Sequence, residues 1–196
     1  MGKTASALGW ISILAVALGA CQKEEPAPPP VRVENPQLGV AIAALSPDFR
    51  VVANDGPTIE LVPSAEGAAG TVSIVDTDPE IGGVNLVAAV KQHQAEILER
   101  PDGDYKGQAE YVTPLGTTYA SRGRYSGDAG TVEERVVFMV HPWGDRKLVV
   151  IYRYPAGNDT QERLDALMTG IVGELEALPS PEAEDASPGD EPETGS

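Results

Sequence analysis

The chain has 196 residues, of which 30 are Asp or Glu and 14 are Lys or Arg, so its formal net charge at pH 7 is −16. A surface of this sign repels the phosphates of nucleic acids and of anionic lipids, which excludes nucleic acid as an expected partner. The single cysteine cannot form an internal disulfide, so the stability of a folded domain has to come from its hydrophobic core.

The N-terminal residues have the layout of a secretory signal. Lys3 precedes an apolar run over residues 5–18, and two small residues then permit cleavage before Cys21. The apolar run is too short for a stable membrane span. The string LGAC at residues 18–21 resembles the lipobox of bacterial lipoproteins. A plain secretory signal followed by a chance cysteine, or an internal buried helix, is the alternative.

The lipobox resemblance implies that residues 1–20 are a signal peptide and that Cys21 carries acyl chains such as palmitate. Two or three acyl chains anchor a protein durably in a membrane, whereas one chain does so only marginally. Cys21 is then an attachment point and not a nucleophile. Gln22 follows it where an Asp would indicate retention in the inner membrane. We therefore expect a lipoprotein of the cell envelope, on the outer membrane and facing the periplasm if the cell is Gram-negative.

Two segments of biased composition flank one predicted domain. Residues 21–36 are expected to be a lipid-anchored tether, because the proline-rich stretch QKEEPAPPP at 22–30 favours an extended conformation. Residues 179–196 combine prolines and acidic residues with almost no apolar side chain, which predicts a disordered acidic tail. Residues 37–178 remain as a single domain.

The hydrophobic pattern of this domain predicts strands, a helix, an antiparallel meander and a final helix. Four short strands come first, at residues 40–45, 49–53, 58–62 and 71–75. Asn85 is the expected N-cap of a helix that ends near Glu99. Short turns join four longer strands, at residues 106–113, 117–125, 131–141 and 147–154. A capping box at Asp159 and an apolar stripe at helical spacing predict a last helix that continues to Leu178.

Two of the predicted strands are apolar at both residue parities, at residues 136–140 and 148–151. A strand that faces water on one side alternates between apolar and polar residues, so these strands are expected to be covered on both faces. The two predicted helices are the available covers. The predicted fold class is therefore α+β, an antiparallel sheet covered by helices on both faces.

The order of elements over residues 37–178 resembles the PsbP-like α-β-α sandwich, which is also found in DcrB-type and LpqN-type bacterial lipoproteins. The resemblance starts at the entry segment LGVAIAALSPDF and ends with the terminal helix. It implies accessory, assembly or binding roles rather than catalysis. It supplies no family motif that would transfer a site to particular residues of this chain.

The sequence offers little catalytic chemistry. It has two histidines, His93 and His141, and no G-x-S-x-G, P-loop or G-x-G-x-x-G string. We therefore expect no enzyme activity, no cofactor and no metal site. His93 lies on the apolar stripe of its predicted helix, where a half-buried packing role is the default and a pH-sensitive or ligand-facing role is the alternative.

His141 and Trp143 lie at the tip of a predicted hairpin. An exposed tryptophan at a loop tip is a candidate contact with a partner protein, because aromatic side chains anchor many interfaces. The alternative is that Trp143 folds back and covers one end of the core.

Arg122 and Arg124 share one face of a predicted strand. If residues 126–130 form the turn and Tyr125 pairs with Thr131, Arg122 faces Glu134 and forms a cross-strand ion pair. The alternative use of the two guanidinium groups is to hold a small anionic ligand.

The sequence leads to a first hypothesis: a lipid-anchored cell-envelope protein with a non-enzymatic binding or assembly role, which contacts the membrane through its N-terminal lipid and binds another envelope protein. A second hypothesis is a carrier of a small molecule or lipid, with a cavity between sheet and helix lined by residues such as Met139, Met168 and Tyr152. A hydrolase, the third, would require pairs of Asp or Glu residues that converge near His93 or His141.

Overall fold

A computed structural model describes residues 29–66, 68–77, 83–157 and 160–181 of the chain. Among these residues, 52% lie in strands and 19% in helices. The elements in chain order are β1 (Val31–Asn35), β2 (Val40–Leu45), β3 (Phe49–Asp55), β4 (Thr58–Pro63), β5 (Thr71–Asp76), α1 (Leu86–Glu99), β6 (Asp104–Thr113), β7 (Gly116–Gly127), β8 (Gly130–Val140), β9 (Lys147–Pro155), α2 (Thr160–Gly170), a 3-10 turn (Val172–Glu174) and β10 (Leu175–Ala177).

The strands form two antiparallel sheets. The larger sheet has seven strands in the order β3-β4-β5-β9-β8-β7-β6, and the smaller sheet has the order β1-β2-β10. The strand β1 lies inside residues 21–36, the segment predicted to be the tether, and its Val33 pairs with Ile42. The predicted strands before and after α1 are confirmed, as is α1 itself, whose N-cap Asn85 accepts a hydrogen bond of 2.9 Å from the backbone N–H of Ala88.

The predicted fold class is wrong, because helices do not cover both faces of the sheet. On one face, α1 packs over Val136 and Phe138 of β8. On the opposite face, Val137 and Met139 belong to a core that the smaller sheet covers through β2, with α2 beside it. Strands apolar at both parities are indeed buried on both sides, but that pattern does not tell whether a helix or a second sheet covers them.

The predicted terminal helix is also too long. The helix α2 ends at Gly170, and the chain then makes the 3-10 turn and joins β2 as the strand β10, where Leu175 pairs with Ile42. A Cβ built on Gly170 would lie 2.7 Å from the Cβ of Ser46, so the chain needs a glycine at this close approach. The apolar stripe of residues 164–178 begins in the helix α2 and ends in the strand β10, and both elements bury apolar residues in the same core.

Candidate functional site

The helix α1 lies across β6, β7 and β8 of the larger sheet. Its buried stripe consists of Leu86, Ala89, Val90, His93 and Ile97. Ile97 sits directly on Gly123 of β7, where a Cβ would lie 2.5 Å from Cγ1 of Ile97. The missing side chain at Gly123 lets the helix approach the sheet closely at this point and fixes where its C-terminal half lies.

A groove of about 230 Å³, which we call the α1 groove, runs between α1 and the neighbouring strands β5, β8 and β9. Its floor is apolar and its rim is polar and charged. The floor contains Val75, Val136, Phe138, Val149 and Ile151, and the helix side of the rim contains Asn85, Gln92, Glu96 and Arg100. The floor of the groove can therefore accept an apolar group, and the rim can hydrogen-bond to the polar groups of the same ligand or partner.

Glu134 on β8 is the best-connected polar group of the groove, although only 2% of it is exposed. Its Oε1 lies 3.2 Å from His93 Nε2, and its Oε2 accepts hydrogen bonds from Arg153 Nε and from the Tyr125 hydroxyl, the latter at 3.4 Å. The Glu134 carboxylate thus links the helix to strands β7, β8 and β9.

The pKa of Glu134 follows from these partners. Burial alone would raise the pKa of this carboxyl group. The hydrogen bonds from His93 and Arg153 and the positive charges of Arg153 and Arg100 outweigh burial, and together they lower the pKa of Glu134 to about 2. Glu134 is therefore an ionised anchor of the groove at neutral pH and not a proton donor.

Ser121, His93 and Glu134 form a hydrogen-bonded series that resembles a Ser–His–acid arrangement. The Ser121 hydroxyl lies 2.8 Å from His93 Nδ1 and 3.3 Å from the Tyr105 hydroxyl. Ser121 is 1% exposed beneath α1, so no substrate carbonyl can reach its oxygen in this structure. The series holds α1 onto the sheet.

The hydrolase hypothesis requires paired carboxylates near a histidine. Glu134 and Glu96 both line the α1 groove with His93, but Glu96 is exposed on the rim and accepts a hydrogen bond from Gln92. His93 contacts one carboxylate, that of Glu134. At the His141 hairpin, Arg146 forms an ion pair of 2.6 Å with Asp76. No group of three or more His, Cys, Asp or Glu residues in the described parts of the chain forms a metal site.

His141 and Trp143, the candidate partner contacts, both face the body of the domain. His141 is 1% exposed, its Nε2 donates to the Leu38 carbonyl at 2.9 Å, and its Nδ1 accepts from the Trp143 backbone N–H at 3.1 Å. Burial lowers the pKa of His141, and the Leu38 carbonyl opposes this in part. The neutral imidazole with a proton on Nε2 therefore fits the site.

The indole ring of Trp143 lies flat against Gly39, where a Cβ would be 2.6 Å from the ring. Its Nε1 donates a hydrogen bond of 3.1 Å to the carbonyl of Leu178. Trp143 thus connects the β8–β9 hairpin to one end of the smaller sheet, where the Leu178 backbone N–H donates to the Gly39 carbonyl at 2.9 Å.

We expect Trp143→Ala to lower the free energy of unfolding by about 2–3 kcal/mol, because it removes a half-buried ring and its hydrogen bond. Trp143→Phe keeps most of the packing and should cost about 1 kcal/mol. Urea unfolding of both variants measures this. Wild-type stability of Trp143→Ala would contradict the packing role and favour the role of a partner contact.

The predicted ion pair between Arg122 and Glu134 is wrong because the hairpin register is shifted by one residue. Tyr125 pairs with Val132, so Gly123 lies opposite Glu134 and Arg122 lies opposite Arg135. A shift of one residue moves a side chain to the other face of the sheet. The neighbouring Arg124 instead pairs with Glu133 at 2.6 Å.

The residues suggested for a carrier cavity do not line one cavity. Met139 is fully buried in the core between the sheets, Tyr152 borders a cleft beside Phe49, and Met168 borders another beside Tyr111. The α1 groove is a cavity between sheet and helix, and it lies on the opposite face from Met139. Sequence reasoning identified its His93 but missed Glu134, Arg153 and Arg100 as a set, because only the correct register brings them together.

Cys21 lies outside the described residues, so its lipidation stays a prediction. No helix in the described ranges is both long enough and apolar enough to cross a membrane.

Solved structures resemble this chain, although no protein-family model and no curated protein matches its sequence. The Ran-binding protein Mog1p of Saccharomyces cerevisiae matches with a TM-score of 0.53 and 12% identity, over 76% of this chain and 95% of Mog1p. A Pseudomonas aeruginosa protein of unknown function, PA94, matches with a TM-score of 0.50 and 11% identity, over 65% of this chain and 88% of that one. LpqN of Mycobacterium tuberculosis, involved in cell envelope biogenesis, matches with a TM-score of 0.49 and 13% identity, over 80% of this chain and 88% of LpqN.

At these identities the likeness to solved structures shows the fold alone. The chain has a Mog1/PsbP-like fold, built mostly from antiparallel sheet. The resemblance in element order is confirmed at the level of the fold.

Proposed function

We propose that the protein is a non-enzymatic binding protein of the cell envelope, and that the α1 groove receives an apolar side chain of a partner protein. The observation that carries the proposal is the groove itself, with its apolar floor inside a polar rim. The lipobox-like segment at residues 18–21 supports the location. In this proposal Cys21 holds the domain at the outer membrane, and the proline-rich tether lets it reach partners in the periplasm.

The size of the groove favours a protein side chain over a lipid. At about 230 Å³ it is smaller than the roughly 300–1,000 Å³ of pockets that bury drug-sized ligands, so it is too small for a whole lipid. One aromatic or branched aliphatic side chain fits such a volume. Buried anchors of this kind contribute most of the binding energy of many protein interfaces.

The sheet next to the groove offers room for the rest of a partner segment. The helix α1 packs over β6, β7 and β8, whereas β3, β4 and β5 extend beyond it. On the same face as Val75 of the groove, Ser73 and Val62 are half-buried and Glu60 is exposed. A segment anchored in the groove could thus continue across an accessible sheet face.

The rim adds hydrogen-bonding groups at the C-terminal half of α1. Gln92 and Glu96 are exposed and joined by a hydrogen bond of 3.0 Å, and Arg100 stacks on the Tyr125 ring with its Cζ 4.2 Å from the ring centroid. These groups can pair with the backbone of a bound segment. Mog1p, whose fold is similar, is named for binding the protein Ran, which is consistent with a protein-binding use of this fold.

Ala88→Trp tests the proposal, since Ala88 is exposed and lines the groove. The indole ring should occupy the groove and reduce capture of the partner at least tenfold, without loss of stability. Val87→Trp is the matched control, because Val87 is 46% exposed on the same turn of α1 but does not line the groove. The measurement is quantitative capture of envelope proteins by the full-length chain and both variants.

A protein that is captured by the wild type and by Val87→Trp but not by Ala88→Trp supports the proposal. Equal capture by all three chains, or recovery of background proteins only, contradicts it. Native mass spectrometry of the chain purified from its own cells addresses the carrier alternative: a bound small molecule or lipid that Ala88→Trp displaces would favour the carrier over the protein partner.

A further inference from the structure

A second cavity lies on the face of the larger sheet opposite the α1 groove. It has a volume of about 190 Å³ and is bordered by β6, β7, β8 and the helix α2. The residues that line it are Lys106, Gly107, Gln108, Ala109, Tyr111, Ala120, Ser121, Arg122, Arg135 and Leu164. We call it the arginine cavity, since two arginines from adjacent strands meet there.

Arg122 and Arg135 are direct cross-strand partners in the β7–β8 register. Like charges placed opposite each other on one face of a sheet repel and destabilise it. Arg135 is only 2% exposed, so solvent screens this repulsion weakly. An anion bound beside Arg122 would reduce this repulsion.

A third cation borders the same cavity. Lys106 lies at a β-bulge of β6, between the paired residues Tyr105 and Gly107. Bulges redirect side chains and are frequent next to binding sites. None of the described residues that line the cavity is acidic. This positive cluster stands out in a chain whose formal net charge is −16.

Two carboxylates near the cavity have cationic partners. Glu133 accepts hydrogen bonds from Nε and Nη2 of Arg124 at 2.8 and 2.6 Å, and Asp104 pairs with Lys106. Arg135 donates from Nε to the Tyr154 hydroxyl at 2.7 Å. Arg122 forms no ion pair or side-chain hydrogen bond with any described residue. Its guanidinium group is half-buried at the cavity and available to a ligand.

Apart from Gln108 and Ser121, the rest of the wall is apolar. Leu164 of α2, Tyr111 of β6 and Ala120 of β7 complete the cavity, and Tyr111 and Leu164 are half-buried there. The volume exceeds what a bare carboxylate or phosphate group requires and leaves space for a small apolar or aromatic body. A ligand that matches the cavity thus combines one anionic group with one compact apolar group.

We propose that the arginine cavity binds a small organic anion. The Arg122 guanidinium holds the carboxylate or phosphate group through two parallel hydrogen bonds, and Arg135 on the adjacent strand contributes charge. The apolar part of the ligand packs against Tyr111 and Leu164. This site is independent of the α1 groove, because the sheet separates the two.

Isothermal titration calorimetry of the full-length chain tests the proposal, with phenyl phosphate as the probe. Arg122→Gln should weaken phenyl phosphate binding at least tenfold, because it removes the guanidinium group that faces the cavity. Arg50→Gln is the matched control: Arg50 is exposed on β3, and its loss changes the net charge equally. Its affinity should equal that of the wild type.

Two further ligands test the contributions of the anionic group and of the apolar group separately. Benzyl alcohol should bind at least tenfold more weakly than phenyl phosphate, since it lacks the charge. Inorganic phosphate should also bind more weakly, and Leu164→Ala should affect phenyl phosphate but not phosphate.

Unchanged affinity of Arg122→Gln, or equal binding of benzyl alcohol, would overturn the anion site. If inorganic phosphate binds as tightly as phenyl phosphate, the apolar part of the ligand contributes nothing, and the proposal that the ligand is organic is overturned. The groove variant Ala88→Trp should bind phenyl phosphate normally, so failure of the groove proposal and failure of this one are distinguishable.

Discussion

Replacing Glu134 by glutamine is expected to lower the free energy of unfolding at pH 7 by about 3 kcal/mol. The pKa of Glu134 is about 2 in the folded protein, against 4.5 for an unperturbed glutamate. A difference of this size corresponds to about 3 kcal/mol of stability, present when the pH is above the unfolded-state value and lost as the pH falls through the folded-state value. Glutamine keeps the shape of the side chain but removes this charge-dependent contribution.

The pH dependence is the more specific result. Between about pH 5 and pH 2 the wild type should lose the contribution of Glu134, because the unfolded chain binds a proton there that the folded chain does not. The Glu134→Gln profile should be flatter over this range by about 3 kcal/mol. Urea unfolding at several pH values measures both profiles. Glu60→Gln, at an exposed position of β4, is the control and should keep the wild-type slope.

Parallel profiles for Glu134→Gln and the wild type would contradict the pairing of Glu134 with His93 and Arg153. The pairing matters for the groove, since it ties α1 to β8 and β9 at the rim. Loss of the pair should therefore also weaken partner capture, even though Glu134 itself is buried and is not expected to contact the partner.

Local patterns predicted most elements of this fold, and they did so for physical reasons. The boundaries of α1 follow from the Asn85 N-cap and from Pro101, which cannot continue a helix. The meander strands follow from β-branched runs between glycine-containing turns. The second sheet was not predicted. β1 lies in a short segment next to the proline-rich stretch, and β10 lies in a stripe with helical spacing.

The second sheet depends on long-range pairing. Leu175 pairs with Ile42, which is distant in the sequence, and this pairing makes residues 175–177 a strand instead of a continuation of the helix. The close approach of Gly170 to Ser46 is similarly a property of the assembled fold. A periodic pattern records only that these residues are buried, and both element types can bury them.

The site was predictable in part. The helical pattern places His93 on the buried stripe of α1, but a turn at residues 126–130 pairs Glu134 with Arg122 instead of His93. In the structure Gly127 pairs with Gly130, so the turn is the two-residue kind that most hairpins prefer. Glycines at both flanks of Asp128 and Ala129 are the signal that would have given the correct register, and with it the His93–Glu134 contact.

The position of α1, which forms one wall of the groove, should be sensitive to a single methyl group on β7. We expect Gly123→Ala to lower the free energy of unfolding by about 2–3 kcal/mol, because its Cβ would lie 2.5–2.7 Å from three carbon atoms of Ile97. The fully buried Ile97 has no space to retreat without moving the helix. Ile97→Ala alone should cost about 2–5 kcal/mol through the cavity that it leaves.

The double variant Gly123→Ala with Ile97→Ala distinguishes a clash from a general intolerance of β7. If the two side chains compete for the same space, the methyl group introduced on β7 fills part of the volume that Ile97 vacates. The double variant should then be more stable than the sum of the single effects by at least about 1 kcal/mol. Urea unfolding of all four chains measures the coupling. Additive effects would contradict the close approach of α1 to β7, and with it the wall that gives the α1 groove its shape.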